Sequence, residues 1–338
     1  MSKPDRHGLY NFHVAFMVRL PLALLLLVWT AVHLGAQEPY PTRPITMIVP
    51  FAAGGSSDIV ARVVSDGLKR QLDQTIVIDN KPGGNGIIGT RDAVKAKPDG
   101  YTLYFGNVGI PVIASAMNSN FSIDPARDLV PISMVAKFAI IVLVRKTLPV
   151  DTLAELIAFA KANSGKLNFG SSGVGTLAHL VAELLMQRTD IEMQHVPYKG
   201  GGNSLTDLMS GNLDVLFASS SVATGQVDSG MVKALAVSST DRLKLLPNVP
   251  TIQESGISDF NIIGWFGVFA PRGLPNAIRD RLSVALVDVA REPDFQEKLR
   301  QVGFEPVGSG AATFDRFFRA ELKRWAAVVA ERGLRTHQ

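Results

Sequence analysis

Short apolar runs alternate with helical patterns along the chain from about residue 45 onward. Residues 45–49 form a nearly continuous apolar run, and residues 56–72 then repeat apolar positions at the spacing of one helix face. Further strand patterns follow at 75–80 and 101–105, with another helical pattern between them. Strands that are apolar on both faces and separated by helices predict βαβ units in a doubly wound α/β sheet.

The same alternation begins again in the second half of the chain. Residues 139–144 predict a strand, and a helix is expected to start near Thr152. Strand patterns and glycine-rich loops then alternate up to about residue 239. The long apolar run 261–271 is interpreted as a segment that returns the chain to the first unit, and the remainder reads as helices. We therefore expect two α/β units.

Two glycine-rich loops join predicted strands to predicted helices. The first lies in ITMIVPFAAGGSSD (45–58), with Ser56 or Ser57 predicted as the helix N-cap, and the second lies in LNFGSSGVGTLAH (167–179), with Thr176 as the predicted cap. The first N–H groups of a helix lack partners within the helix and lie at the positive end of its dipole. Each loop is therefore a predicted anion site, and two loops in different units could hold one small anion between them.

Residues 1–36 differ in kind from the rest of the chain. Arg19 precedes the apolar run LPLALLLLVWTAV, which ends in the small residues Gly35 and Ala36. This pattern predicts a signal peptide that is cleaved near Ala36, with Met17 as a possible true start. The uncharged stretch 20–36 is shorter than the roughly 20 apolar residues that a membrane span needs, which favours a cleaved leader. A retained N-terminal anchor is the alternative.

Charge and cysteine content exclude several classes of function. Cleavage near Ala36 removes three of the 34 basic and one of the 30 acidic residues, which leaves 31 and 29. This near balance, without a basic cluster, gives no support for nucleic-acid binding. The chain has no cysteine, which excludes cysteine nucleophiles, cysteine-rich metal sites and a lipidated cysteine.

Catalytic and cofactor motifs are absent or out of context. Gly84, Gly86 and Gly89 fit G-x-G-x-x-G, but the acid that a dinucleotide site needs near position 106 is missing. No phosphate-binding loop, nucleophile elbow or H-E-x-x-H occurs, so we expect no cofactor and no metal. His179 has two open roles, contact with a ligand or a hydrogen bond that satisfies a backbone carbonyl, of which the second is favoured.

Several blocks of sequence carry a family resemblance. They are YPTRPITMIVPFAAGGSSDIVAR, VIDNKPGGNGIIG, KPDGYTL, LNFGSSGVGTLAHL, HVPYKGGGNSLTDLMSG and LPNVPTIQESG with the following WFGVFAP. In this order they resemble the Bug-type (TctC-like) periplasmic substrate-binding receptors of tripartite tricarboxylate transporters. The resemblance implies a type II periplasmic-binding-protein fold with two lobes and a ligand cleft between them. We expect lobe I at 37–142 and 264–338, and lobe II at 143–263.

The resemblance also implies a set of ligand contacts. The family usually has an acid after the phenylalanine of the DVLF strand, where this chain has Ala218, so an amino-acid ligand is not favoured. His179 and Ala218 complete the candidate set. The expected contacts are Phe51, Ala53, Gly54, Gly55 and Ser56 in the first loop, Ser171, Ser172, Gly173 and Thr176 in the second, and Asn107 and Tyr198 in the walls.

The expected function is that of an exported, non-enzymatic receptor. It would bind a small organic carboxylate in the periplasm as a monomer, and deliver it to inner-membrane tripartite tricarboxylate transporter subunits. The alternatives are a sensor module, or an enzyme that processes a carboxylate with His179 or Tyr198 on the same scaffold. The sequence shows no pair of mutually oriented groups for acid–base catalysis.

Overall fold

A computed structural model describes residues 40–118, 121–198, 201–331 and 333–335. Residues Met1–Thr42 are assigned to one compact unit and Arg43–Gln338 to a second. The predicted signal peptide, its cleavage site and the alternative start at Met17 lie outside the described residues. Within those residues, no helix is both long and apolar enough to cross a membrane.

Strands and helices alternate through the second unit, as the hydrophobic pattern predicts. The strands are β1 (Ile45–Val49), β2 (Ile76–Asn80), β3 (Thr102–Asn107), β4 (Leu129–Arg145), β5 (Asn168–Ser171), β6 (Gln194–Pro197), β7 (Val215–Ser219), β8 (Val232–Val237), β9 (Ile263–Pro271) and β10 (Glu305–Pro306). The helices are α1 (Ser56–Leu72), α2 (Ile87–Lys95), α3 (Ser115–Met117), α4 (Pro125–Asp128), α5 (Leu153–Ala162), α6 (Leu177–Thr189), α7 (Gly201–Ser210), α8 (Ser220–Asp228), α9 (Asn276–Arg291), α10 (Pro293–Gln301) and α11 (Ala311–Glu331).

The described strands form one mixed sheet with a parallel set on each side of β4. The order along the sheet is β2, β1, β3, β9, β4, β7, β5, β6, with β8 and β10 also paired to β4. Strand β1 is parallel to β2 and β3, and β5 is parallel to β6 and β7, whereas all pairings of β4 and β9 are antiparallel. The division into two α/β units, with its lobe boundaries, remains a prediction.

Strand β4 joins the two halves of the sheet and is much longer than the sequence pattern indicates. It has 17 residues, of which 129–139 pair with β9 and 140–145 with β7 and β8. The predicted strand 139–144 is therefore only its last part. Pro131 argues against a central strand, but the register with β9 shifts between Pro131 and Ser133, and such an irregularity accommodates proline.

Strand β9 returns the chain to the first half, as expected for the run 261–271. The backbone N–H of Ile262 donates to Ser238 O just after β8, and β9 then inserts between β3 and β4. Trp265 on β9 is fully buried and makes an edge contact with Phe314 of α11 at a centroid distance of 5.5 Å. The predicted apolar stripe of the last helix therefore packs on β9, as burial of its aromatic rings favours.

Two segments fold differently from the sequence interpretation. The stretch KGGGNS is expected as a loop, but α7 already begins at Gly201. Residues after β7, for which no helix is predicted, form α8. Glycine and serine have low helix propensity, so tertiary packing decides both segments.

Candidate functional site

The first glycine loop connects β1 to α1 and is exposed from Ala52 to Ser56. Gly54 has a φ of +82°, a value that glycine adopts without steric cost, and a Cβ there would meet nothing within 4 Å. The N-cap of α1 is Gly55, and no side chain caps the helix. The prediction of Ser56 or Ser57 as N-cap is wrong, because both residues already lie within the helix.

Asp58, in the first turn of α1, reaches back and closes this loop. Its Oδ2 accepts hydrogen bonds from the Gly54 N–H at 2.9 Å and from Arg62 Nε at 3.0 Å, and its Oδ1 accepts from Asn80 Nδ2 at 3.0 Å. Burial raises the pKa of this carboxyl, but hydrogen bonds from Arg62, the loop backbone and Asn80 together hold the pKa below its usual value. Asp58 is only 3% exposed and supports the loop from within.

Asn107, at the end of β3, lies against the first loop, and its contact with a ligand stays a prediction. Its Nδ2 donates to Ser57 Oγ at 3.4 Å, and its Oδ1 accepts from the Gly109 N–H at 2.9 Å. The chain continues through a π-helical turn, Gly109–Ala114, into α3. Such turns are often found at functional sites.

The second glycine loop connects β5 to α6. Gly173 and Gly175 have φ values of +132° and +75°. Thr176 is the N-cap of α6, as predicted, and its Oγ1 accepts from the His179 N–H at 3.4 Å and donates to Gly173 O at 2.8 Å. The loop backbone is therefore fixed to the first turn of the helix.

One segment of the chain contacts both glycine loops. At its start, Asn107 donates to Ser57 beside the first loop. At its end, Met117 of α3 lies so close to the second loop that a Cβ at Gly175 would be 2.9 Å from Met117 Sδ. The residues from 107 to 117 therefore link the two loops across the molecule.

Ser171 lies beneath the second loop rather than on its surface. Its side chain is fully buried, and its Oγ lies 2.7 Å from His195 Nε2 and accepts from the Gly173 N–H at 3.1 Å. Ser172 and Gly173 are partly exposed. A direct ligand contact by Ser171 stays a prediction, and the structure gives its hydroxyl a supporting position.

His179 and Tyr198 are both engaged by the protein itself. His179 is 5% exposed, and its Nδ1 accepts from the Gly175 N–H at 3.3 Å, so its backbone bond is to a donor and not to a carbonyl. The hydroxyl of Tyr198 donates to Asp207 Oδ2 at 2.6 Å. Burial and the Asp207 carboxylate raise the pKa of Tyr198 to about 12. Both side chains are thus held in place by hydrogen bonds within the protein.

Ala218, at the position of the family's usual acid, is buried in β7 and pairs with Ile141 of β4. The adjacent side chains that could replace the acid are hydroxyls, and Ser219 Oγ lies 3.0 Å from Ser221 Oγ. No carboxylate takes the place of the missing acid within this described segment.

The remaining donors of both loops are backbone N–H groups. Four of these backbone N–H groups have no acceptor within the described residues. They belong to Ser56 and Ser57 in the first loop and to Ser172 and Val174 in the second. The predicted contacts Phe51, Ala53 and Gly55 lie in the same first loop, with Phe51 half-buried and the other two exposed. Neither loop contains lysine or arginine. The arrangement can bind an anion by hydrogen bonds and helix dipoles.

Two residues that support the second loop are not predicted from the sequence. His195 contacts the second loop from β6, 24 residues away from Ser171, and Met117 contacts it from α3. No local pattern signals either contact. For Asp58, the position four residues after Gly54 and one turn into a helix is a usable signal, because an acid there can reach the loop N–H groups.

Comparison with known proteins places the chain in a family. Residues 60–334 match the model of the tripartite tricarboxylate transporter family receptor, TctC. The periplasmic binding protein BugD is 32% identical, with 88% of this chain and 99% of BugD covered and a TM-score of 0.73.

Two solved structures from Rhodopseudomonas palustris hold carboxylates. Rpa4515 with adipate is 33% identical, with 87% of this chain and 98% of that chain covered and a TM-score of 0.75. MatC (Rpa3494) with bound malate is 29% identical, with 86% and 100% covered and a TM-score of 0.72. Since the family model spans most of the chain and these folds agree along nearly their whole length, the protein belongs to the tripartite tricarboxylate transporter receptor family, with the fold of its periplasmic binding proteins.

Proposed function

We propose that this protein is a solute receptor that binds a small organic carboxylate between its two glycine loops. The observation that carries the proposal is the link between the loops, in which residues 107 to 117 contact Ser57 on one side and Gly175 on the other. Each loop leads into a helix N-terminus with unpaired N–H groups. A carboxylate needs such donors and a positive local potential, and both loops supply them.

The strength of binding follows from hydrogen bonds to a charged group. Each bond from a backbone N–H to a carboxylate contributes roughly 1.5 to 3 kcal/mol, and micromolar affinity requires about 8 kcal/mol. The four unpaired N–H groups of Ser56, Ser57, Ser172 and Val174 can supply this energy after the costs of ordering are subtracted. A cationic side chain is therefore not required.

The ligand class is inferred from the loops and from the relatives. Rpa4515 and MatC hold adipate and malate, which both carry a carboxylate at each end. A dicarboxylate can place one end on each loop, so we propose a dicarboxylate or tricarboxylate as ligand. The buried Ala218 leaves no acid at that position to pair with an ammonium group, which disfavours an amino acid.

We further propose that binding closes two lobes, residues 37–142 with 264–338 and residues 143–263. The support is the sheet topology, in which β4 pairs with β9 along one half and with β7 and β8 along the other. A ligand that engages both loops would hold the lobes together. The closed monomer would then deliver its ligand to inner-membrane transporter subunits, as the name of the family indicates.

The proposed role is binding without catalysis in the periplasm, after removal of a leader near Ala36. Its support is that the two candidate groups are held by the protein itself, since Tyr198 donates to Asp207 and His179 Nδ1 accepts from the Gly175 N–H. The leader is supported by the apolar pattern of residues 20–36.

The test is calorimetry of the purified protein against acetate, malate, adipate and citrate. We expect micromolar binding of at least one dicarboxylate or tricarboxylate and much weaker binding of acetate, because acetate can occupy only one loop. Mass spectrometry of small molecules that copurify with the protein would identify a retained ligand independently. Equal affinity for acetate and adipate, or no binding of any of the four acids, would contradict the proposal.

A further inference from the structure

Three aromatic rings form a stack directly beneath the second glycine loop. Phe169 of β5 stacks on His195 of β6 at a centroid distance of 4.8 Å, and His195 stacks on His179 of α6 at 4.1 Å. The interplanar angles are 17° and 18°. Two imidazoles, a buried one of His179 and a half-buried one of His195, therefore lie face to face behind the loop.

Each imidazole is hydrogen bonded to the loop. His195 Nε2 lies 2.7 Å from Ser171 Oγ, which accepts from the Gly173 N–H at 3.1 Å. His179 Nδ1 accepts from the Gly175 N–H at 3.3 Å. The conformation of both loop glycines therefore depends on these rings, and the unpaired N–H of Val174 lies between those two glycines in the chain.

The charged and titratable groups around the rings are few. On α6, Glu183 Oε1 lies 3.5 Å from His179 Nε2. Strand β5 presents only Phe169 and Ser171 to the rings. Beyond the end of β6, Tyr198 is held by Asp207 of α7.

These surroundings determine how His195 can titrate. Burial and the neighbouring His179 lower the pKa of His195 to about 4, while Glu183 acts in the opposite direction. Because burial disfavours the charged imidazole, an opposite charge near the ring would favour its protonation. Phe169 offers its ring face to a positively charged His195, which also favours the charged form.

We propose that His195, stacked on His179, is a positioning residue that takes up a proton when an anion binds to the second loop, so that affinity for the anion rises as pH falls below neutral. This inference rests on the proposed function of the loop. An anion bound to the loop would lie near Ser171, whose Oγ contacts His195 Nε2, and would attract the charged form of that ring. By thermodynamic reciprocity, protonation of His195 must strengthen binding of the anion to the same extent.

The matched variants are His195→Gln and His179→Gln. Glutamine can hydrogen-bond to Ser171 or to the Gly175 N–H, but it cannot be protonated in this range. Adipate, malate and sulfate serve as probes, because sulfate stays fully ionised over the whole range and separates protonation of the protein from protonation of the ligand. For the wild-type protein and sulfate, we expect about threefold tighter binding at about pH 5 than at about pH 7, as one added charge near the anion predicts.

A second measurement needs no variant. Nuclear magnetic resonance follows the imidazole signals of the wild-type protein through an acid titration with and without adipate, and the titration midpoint of His195 should move to higher pH when adipate is present. Calorimetry in two buffers of different ionisation enthalpy should show proton uptake on binding at about pH 5. Both readouts stay usable if a variant fails to fold.

The outcomes separate this inference from the proposed function. If carboxylates bind at neutral pH, but the midpoint does not move and His195→Gln shows the same pH dependence as wild type, the imidazole linkage is wrong and the receptor function stands. If His195→Gln keeps the pH dependence of wild type and His179→Gln removes it, the role assigned to His195 is wrong. If neither sulfate nor any carboxylate binds at either pH, both proposals are overturned.

Discussion

The carboxylate of Asp58 accepts a hydrogen bond from the backbone N–H of Gly54 at 2.9 Å. This bond from the first turn of α1 closes the first glycine loop. The pKa of Asp58 lies below its usual value, so the charged form stabilises the fold. The charged carboxylate accepts from one loop N–H group, and the N–H groups of Ser56 and Ser57 remain for a ligand.

Asp58→Asn should therefore reduce stability in a pH-dependent manner. A lowered pKa in the folded state contributes stability that is fully present above the ordinary pKa of about 4, and is lost as pH falls through the lowered value. At neutral pH we expect a loss of about 1 to 3 kcal/mol, the worth of hydrogen bonds to a charged group. Urea unfolding of both proteins at about pH 7 and about pH 3 measures this, and the difference should shrink at the lower pH.

Asp66→Asn is the control for this prediction, because Asp66 is exposed on the same helix. It should change stability little at either pH. If the free energies of unfolding of wild type and Asp58→Asn differ by the same amount at both pH values, Asp58 acts through packing and not through its charge.

Arg62 should support Asp58 without contacting the ligand. Its side chain is 54% exposed and pairs with Asp58 at 3.0 Å. We expect Arg62→Gln to weaken carboxylate binding by less than about tenfold, because backbone donors supply the binding energy. Lys199→Ala should behave in the same way, although Lys199 lies outside the described residues. A loss above a hundredfold in calorimetry for either variant would assign the binding energy to a charged side chain.

Thr176 allows a test of the second loop by a single hydroxyl. Its Oγ1 joins the His179 N–H to Gly173 O, so Thr176→Val should cost about 1 kcal/mol of stability as a lost helix cap. It should also weaken binding of adipate or malate, because the carbonyl of Gly173 loses its hydrogen bond from Thr176 Oγ1. Thr176→Ser keeps the hydroxyl and should bind like wild type. If valine and serine at this position give the same affinity, the cap does not shape the site.

The sequence predicts the Thr176 cap because the interaction is local. A threonine before an apolar helix stripe can only cap that helix, and the hydrogen bond spans three residues. The cap of the first helix is predicted wrongly for an equally physical reason. Gly55 takes the cap position, and an acid inside the helix closes the loop instead of a serine before it.

Longer-range features could not be derived from sequence patterns. The contact of His195 with Ser171 depends on parallel pairing of β5 and β6, which no local pattern specifies. The true length of β4 depends on β9 as its partner along residues 129–139, more than 120 residues later in the chain. Alternation of strands and helices is readable because burial on both faces produces a simple pattern, whereas partner choice is decided in three dimensions.

The predicted signal peptide gives a prediction that rests on the sequence alone. N-terminal sequencing of the exported protein should find a start near Gln37, because the apolar run 20–36 ends in small residues suited to cleavage. Expression from Met17 should yield the same mature protein. Replacing Leu25 by arginine should block export, because it breaks the apolar core of the leader. An exported protein that still contains Trp29 would favour the retained anchor.

The last prediction concerns the two loops as halves of one site. Gly54→Asp places a carboxylate beside the first loop, where a Cβ meets nothing within 4 Å, so its effect would come from charge and from the positive φ. Gly173→Asp has the same charge, and its Cβ would lie 3.2 Å from Tyr198 O. Either change should abolish binding of adipate and malate, because one loop can hold an anion but cannot close the lobes.

Gly211→Asp is the matched control. Gly211 has a φ of +84° and open space around its Cβ, so the variant has the same backbone strain and charge in the turn between α7 and β7. It should bind like wild type in calorimetry and become more compact with ligand in small-angle scattering. If Gly173→Asp remains folded and still binds and compacts as Gly211→Asp does, the second loop is a structural turn. The site would then consist of the first loop alone, because the remaining N–H groups at Ser56 and Ser57 would have to carry all of the binding.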